Sequence, residues 1–233
     1  ISQLSWLDKE HKICYRRYMI ITWYGQACFK IQSGDKALVL DPFEKSVGLM
    51  PPSIQADILF VTHEHFDHNN IKAIKGDYFL INGPGEYEVK GIKAKGIASY
   101  HDNEEGAKRG LNKLYLIEVE GIHILHCGDL GQDLLDDKQL EEIGSVDILM
   151  IPTGGFFTID AKQAVGVINQ IEPKIVIPMH YKIPKLSILE LDGVDKFLKE
   201  FGSEDVTAQD KISIRAKDIE GEEEKTRIIV LKP

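Results

Sequence analysis

The chain has 233 residues, 43% of them hydrophobic, 28% charged and 8% aromatic, the balance of a folded globular protein. Lys and Arg total 28 against 37 Asp and Glu, and the resulting net charge of −9 argues against general nucleic-acid binding, which needs a basic face. No apolar run approaches the roughly 18 residues of a membrane span. Cys14, Cys28 and Cys127 are too few and too scattered for a disulfide framework.

In chain order, residues 1–18 show no sustained period and no apolar stretch ahead of a cleavage site, so no secretory signal is read there. A reducing cytoplasm is the expected compartment. Met19 opens strong patterning, which makes 1–18 an extension outside the fold and 19–233 a single domain, since no Pro- or Ser-rich linker divides it. Short apolar runs rich in Ile, Val, Leu and Tyr predict strands at 20–24, 28–31, 37–40, 58–61, 78–81, 114–119, 122–125, 148–151, 175–177, 211–214 and 227–231. Helices are expected from Asp160, a good N-cap, through Ile171, over Val194–Phe201 behind Asp192 and ahead of Gly202, and over Leu134–Ile143. Strands in runs with helices between them indicate layered sheets and helices. The run Asp57–Val61 (DILFV) echoes Asp147–Ile151 (DILMI), a trace of two related halves. The acidic stretch 218–224 reads as a hairpin turn between the last two strands.

Residues 62–68 read THEHFDH, placing three of the eight histidines and an aspartate immediately after an apolar strand. Imidazole nitrogen and carboxylate oxygen are the donors that zinc, manganese and iron prefer. His63 and His65 are two residues apart, so their rings project to one side of an extended segment. Asp67 and His68 follow where the chain can turn towards a second ion.

This motif resembles the HxHxDH signature of the metallo-β-lactamase superfamily, and further markers follow in order: Asp41 in LVLDPF, His101 in SYHD, Asp129 in HCGDLG and His180 in IPMHY. WYGQACFKI and IPTGGFFTI are similar to the branch containing L-ascorbate-6-phosphate lactonase and many metal-dependent hydrolases. The resemblance implies an α/β fold, a four-layer αββα sandwich of two mixed β-sheets flanked by helices. It implies one metal on His63, His65 and His101 and a second on Asp67, His68 and His180, with Asp129 bridging. The implied cofactors are two divalent ions, zinc first, with manganese or iron as alternatives. Asp67 and Asp129 are then also the catalytic carboxylates around a metal-bridging hydroxide. The branch commonly has His where this chain has Gln26, which keeps hydrogen bonding but not imidazole's proton chemistry.

Other residues keep two readings. His126 competes with His101 for the third histidine position; His101 is favoured, and His126 is expected to orient Asp129. Asp41 is expected beneath the site as an organiser of its ligands. Tyr181 either donates to an oxyanion or packs as an ordinary aromatic. The polar loop 102–113 reads as a gate, from which Lys108 and Arg109, together with Lys182 beyond His180, could meet an anionic substrate. The expected activity is hydrolysis of a small-molecule lactone, ester or amide. A small phosphodiesterase or nuclease and a non-catalytic metal-binding protein are the alternatives. A small-molecule substrate is the expected partner, and assembly into a homo-oligomer is left open.

Overall fold

The computed structural model describes residues 18–188, 190–219 and 225–233. Residues 1–17 of the extension read at 1–18, and most of the acidic stretch, 220–224, lie outside the described residues. The strands are β1 (Met19–Gly25), β2 (Cys28–Ser33), β3 (Lys36–Leu40), β4 (Ile58–Phe60), β5 (Phe79–Ile81), β6 (Gly85–Val89) and β7 (Ile92–Tyr100). They continue as β8 (Leu111–Val119), β9 (Ile122–His126), β10 (Ile148–Pro152), β11 (Ile175–Met179), β12 (Ile212–Ile214) and β13 (Arg227–Ile228). Three helices, α1 (Asp137–Ile143), α2 (Ala161–Ile171) and α3 (Val194–Phe201), interrupt the second half.

Two mixed sheets result, one of six strands in the order β12-β1-β2-β3-β4-β5 and one of seven in the order β13-β11-β10-β9-β8-β7-β6. In each, an antiparallel part gives way to a parallel part: β3–β4–β5 in one, β9–β10–β11 in the other. Burial alternates along β1 and β12, while β4, β10 and β11 are buried throughout, so one face of each sheet meets the other in a shared core and the parallel strands are covered on both faces. Phe60 and Tyr115 touch across it with ring centroids 5.2 Å apart. The Tyr115 hydroxyl donates to the Val61 carbonyl at 3.0 Å, stitching the sheets together at a buried polar point.

Helix α1 packs on β7, α2 connects the parallel strands β10 and β11, and α3 lies beside α2, so the helical layer covers the seven-stranded sheet. The outer face of the other sheet carries Val39, Leu59 and Val61, covered with Ala56 and Ile74 by the irregular segment before β5. That segment contains only a short 3-10 turn at Ile71–Ala73, so this outer layer is thin. The αββα plan therefore holds with one of its α layers reduced.

Local chemistry moved several expected boundaries. The helix expected from Leu134 begins at Asp137, because Asp136 accepts from Gln139 N at 2.8 Å while the Gln139 side chain accepts from Asp136 N at 3.0 Å. Gly193 rather than Asp192 precedes α3, and Asp192 instead pairs with Lys196 at 2.7 Å. The last two strands form no hairpin: β12 pairs with β1 and β13 with β11, in different sheets. Strand β7 is the strand-like run that leads into His101; it is absent from the apolar runs above because its Lys, Ala and Gly content is poor in strand formers. Its Gly96 is required by close approach, as a Cβ there would sit 2.4 Å from the Gly83 carbonyl oxygen.

Strands β3, β4, β9, β10 and β11 all run towards one edge of the sandwich, where their C-terminal loops collect. In open α/β sheets that is where ligands are bound.

Candidate metal centre

The loop leaving β4 turns sharply after Thr62, with His68 N and Asn69 N both donating to the His65 carbonyl at 3.0 Å. This turn brings His63 and His65 together, His63 Nε2 lying 3.0 Å from His65 Nδ1. Strand β7 delivers His101 to the same place. The donor atoms of His63, His65 and His101 form one group, and those of Asp67, His68, Asp129 and His180 form another; within each, the atoms lie no more than 4.8 Å apart. Asp129 stands between the groups. Its Oδ2 is 3.2 Å from His101 Nε2 and 3.9 Å from His63 Nε2. Its Oδ1 is 3.1 Å from His68 Nε2 and 3.4 Å from His180 Nε2. Asp67 Oδ2 completes the second group, 3.5 Å from both of those histidine nitrogens.

Each of these groups could hold a metal ion. His68 Nε2 and Asp129 Oδ1 are buried 3.1 Å apart, yet neither makes a hydrogen bond of ordinary geometry. Buried polar atoms almost always find one, so lone pairs converging without it mark a place for a metal. A nitrogen and oxygen donor set of this kind suits zinc, manganese or iron.

The electrostatics agree. Burial, followed by neighbouring His68, pushes His63 down to about 2, and burial also lowers His65, so both present neutral rings with available lone pairs. Burial alone would raise Asp67 and Asp129, but His68 and His180 beside them hold both carboxyls well below the usual range. In return Asp129 and Asp67 outweigh burial and raise His68 and His180.

Beneath the donors lies a supporting layer. Asp41 Oδ2 accepts from His68 Nδ1 at 3.1 Å, from His126 Nε2 at 2.9 Å and from the Thr62 hydroxyl at 2.8 Å. That hydroxyl in turn lies 3.0 Å from His63 Nδ1. One carboxylate thus orients an imidazole in each group and points its other nitrogen into the centre. His126 was expected to orient Asp129; the structure places it on Asp41 instead and outside both donor groups, while His101 is inside. The residue fixing the Asp129 loop is Asn112, which sequence reasoning missed. Its Nδ2 donates to the Cys127 carbonyl at 2.9 Å, and its Oδ1 accepts from Asp129 N at 3.2 Å. A buried asparagine in the apolar strand β8 was the available signal. Cys127 itself is wholly buried, which pushes its thiol up and keeps it protonated.

The backbone is strained where it meets the centre: Asp41, His180 and Gln26 adopt φ of 43°, 51° and 48°, the left-handed region that non-glycine residues avoid. Gly154 admits the strand end that carries His180, because a Cβ there would lie 2.2 Å from the His180 carbonyl oxygen.

A cavity of about 330 Å³ opens over the donors, lined by His65, Phe66, Asp67, His101, Lys108, Arg109, Asp129, Phe157 and Ile188. The loop expected as a gate is clamped by Asp102. Its carboxylate accepts from the backbone N–H of Glu104, Gly106, Lys108 and Arg109 at 2.7–2.9 Å. Burial raises this carboxyl, but the four donors outweigh it and hold it at about 2. The clamp sets the Arg109 guanidinium 5.4 Å from the Phe157 ring centroid. Lys108 pairs with Glu104 at the surface. Lys182 is not among the cavity-lining residues. Tyr181, weighed as an oxyanion donor, is turned away: its hydroxyl donates to the Leu231 carbonyl at 3.3 Å and its ring lies 5.0 Å from Trp23.

No helix among the described residues is long and apolar enough to cross a membrane. The family model of a beta-lactamase superfamily domain matches residues 20–180. A UPF0173 metal-dependent hydrolase of Thermoplasma volcanium is 33% identical over 190 residues, covering 69% of this chain and 82% of the relative. Its counterpart in Thermococcus onnurineus is 29% identical over 190 residues, covering 69% and 84%. A candidate Zn-dependent hydrolase of the metallo-β-lactamase superfamily from Thermotoga maritima has a similar structure, with a TM-score of 0.73 and 35% identity over 91% of this chain and 98% of that one. With this fold and this arrangement of histidines and aspartates, the chain belongs to the metallo-β-lactamase superfamily, alongside relatives named metal-dependent hydrolases.

Proposed function

We propose that this protein is a hydrolase working with two divalent cations, zinc first and manganese or iron as alternatives, on a lactone, ester or amide bond of a small anionic molecule. The observation that carries this reading is Asp129, whose two oxygens face two separate donor groups. His63, His65 and His101 would hold one cation, Asp67, His68 and His180 the other, and Asp129 both. Bound there, two cations would lower the pKa of a shared water towards neutrality and polarise the bond under attack.

The protein's own groups supply the rest. Asp67 belongs to the donor cluster and also lines the cavity, where its carboxylate would orient a water. Phe66, Phe157 and Ile188 make an apolar wall, and Arg109, seated on Phe157, offers its N–H fork to an anionic group at the cavity edge. The Asp102 clamp fixes the backbone that carries that fork, which would reduce the ordering cost of binding.

The test is hydrolysis by chelator-stripped protein reloaded with zinc or manganese, with lactones and phosphodiesters side by side and Asp129→Ala as control. Metal-dependent turnover of lactones, absent in Asp129→Ala, is expected. Turnover of phosphodiesters alone would overturn the bond class, and equal turnover by the variant would overturn the role of Asp129.

A further inference from the structure

We infer that Gln26 is an additional oxygen donor to the second cation position, beside Asp67, His68, Asp129 and His180; this rests on the two-cation reading above. Gln26 lies in the tight turn between β1 and β2 and is wholly buried. Its φ of 48° is a conformation that glycine takes freely and glutamine does not, so the turn holds this side chain at a cost in backbone strain.

The turn is tied directly to the centre. The Gln26 carbonyl accepts from Trp23 Nε1 at 2.9 Å and from His180 N at 3.1 Å. Its side chain returns to the same histidine: the amide Nε2 is 3.0 Å from His180 Nε2 and 3.2 Å from Asp67 Oδ2. These spacings are close to the 3.1–3.5 Å separating neighbouring donors of the second group. The amide therefore occupies a corner of that donor set. Its other end, Oε1, is buried with no partner.

An amide's oxygen and nitrogen exchange places by a half-turn that leaves its outline unchanged. With nitrogen inward, the amide donates to Asp67 and competes for the lone pair of His180. With oxygen inward, it adds a lone pair to theirs. A cation held by Asp67 and His180 needs both of those lone pairs, and it repels an N–H aimed at the same point. Cation binding therefore favours the oxygen-inward arrangement. A neutral carbonyl donor would add a fifth protein ligand at the second position without adding charge.

The test titrates chelator-stripped protein with Mn(II) and, separately, Co(II), comparing wild type with Gln26→Gly and Gln26→Glu. Calorimetry counts the ions and their affinities, and Co(II) absorption reports the ligand number at the second position. Glycine removes the side chain while relieving the left-handed backbone, and melting temperatures check the fold of each variant. The first ion should bind equally in all three proteins. The second Mn(II) should weaken by about tenfold or more in Gln26→Gly, with stronger Co(II) absorption as a ligand is lost. Gln26→Glu should hold the second ion at least as tightly as wild type. Unchanged binding by Gln26→Gly overturns the inference. So does loss of the second ion in Gln26→Glu, because a group needed only as an N–H donor to Asp67 cannot be replaced by a carboxylate. A wild type that takes one ion overturns the two-cation reading itself, and this inference with it.

Discussion

The pair β3–β4 in the six-stranded sheet and the pair β9–β10 in the seven-stranded sheet are built alike up to their ends and then diverge. Asp57 Oδ2 accepts from Ala37 N at 2.9 Å, and Asp147 Oδ2 accepts from His123 N at 2.9 Å. Each carboxylate also carries a lysine, Lys90 on Asp57 and Lys174 on Asp147. These aspartates pin the start of each parallel pair at the edge away from the centre. Beyond the other edge, β4 runs into THEHFDH, which contributes four donor side chains, whereas β10 runs into Thr153-Gly154-Gly155, which contributes none. Gly154 instead clears space for the strand end carrying His180. Asp41 and Asp129 occupy comparable places after β3 and β9, yet Asp41 orients imidazoles from below while Asp129 stands between them. The strand pairs are scaffold, and the chemistry of each half is set by what its loops carry.

The sharpest way to break this division is at its centre. Asp129→Ala should abolish paired ion binding, weakening the second ion by more than about a hundredfold, since even supporting residues cost ten- to a hundredfold; calorimetric titration with Zn(II) reads it. Asp41→Asn should weaken both ions by about ten- to a hundredfold, because it touches His68 directly and His63 through Thr62. Weakening of one ion alone would mean that the two groups have separate supports.

A third expectation concerns pH. His68 and His180 are raised above their ordinary value of 6.5 by Asp129 and Asp67. Stability from a raised histidine is present below 6.5 and lost as pH rises through the folded value. The lowered carboxyls contribute above their ordinary value of 3.8 and lose that contribution only in acid. Chelator-stripped protein should therefore melt at falling temperatures as pH rises above 6.5, while the zinc-loaded protein holds its midpoint. A flat profile for the stripped protein in scanning calorimetry would contradict the charge assignment.

Smaller effects sharpen the same contrast. Arg109→Ala should raise KM for anionic substrates by about tenfold and leave kcat and neutral substrates nearly unchanged. Asp57→Asn and Asp147→Asn should each cost about 1 kcal/mol or less in denaturant unfolding, being partly exposed pins, with ion binding intact. Loss of metal in either would show that the scaffold and the chemistry are not separable.

The parts of the centre legible in the sequence were those whose donors are contiguous. THEHFDH announces itself because four donor side chains follow one apolar strand. Asp129, His101 and His180 lie far from it along the chain and were located only through resemblance. The echo of Asp57–Val61 in Asp147–Ile151 was real structural information, since both aspartates make the same bond to the preceding strand. What stayed hidden depends on direction rather than identity. Tyr181 is next to His180, but the left-handed turn at His180 sends its ring to Trp23. His126 lies three residues before Asp129 and nevertheless faces Asp41. Strand β7, which leads into His101, is written in lysine, alanine and glycine, and close approach accounts for Gly96 alone.

The most direct measurement is electron paramagnetic resonance of the protein loaded with two equivalents of Mn(II), alongside Asp129→Ala. A carboxylate shared by two ions should give an exchange-coupled spectrum in the wild type that the variant lacks. A single bound ion, or two uncoupled ions in the wild type, would contradict the bridging role of Asp129.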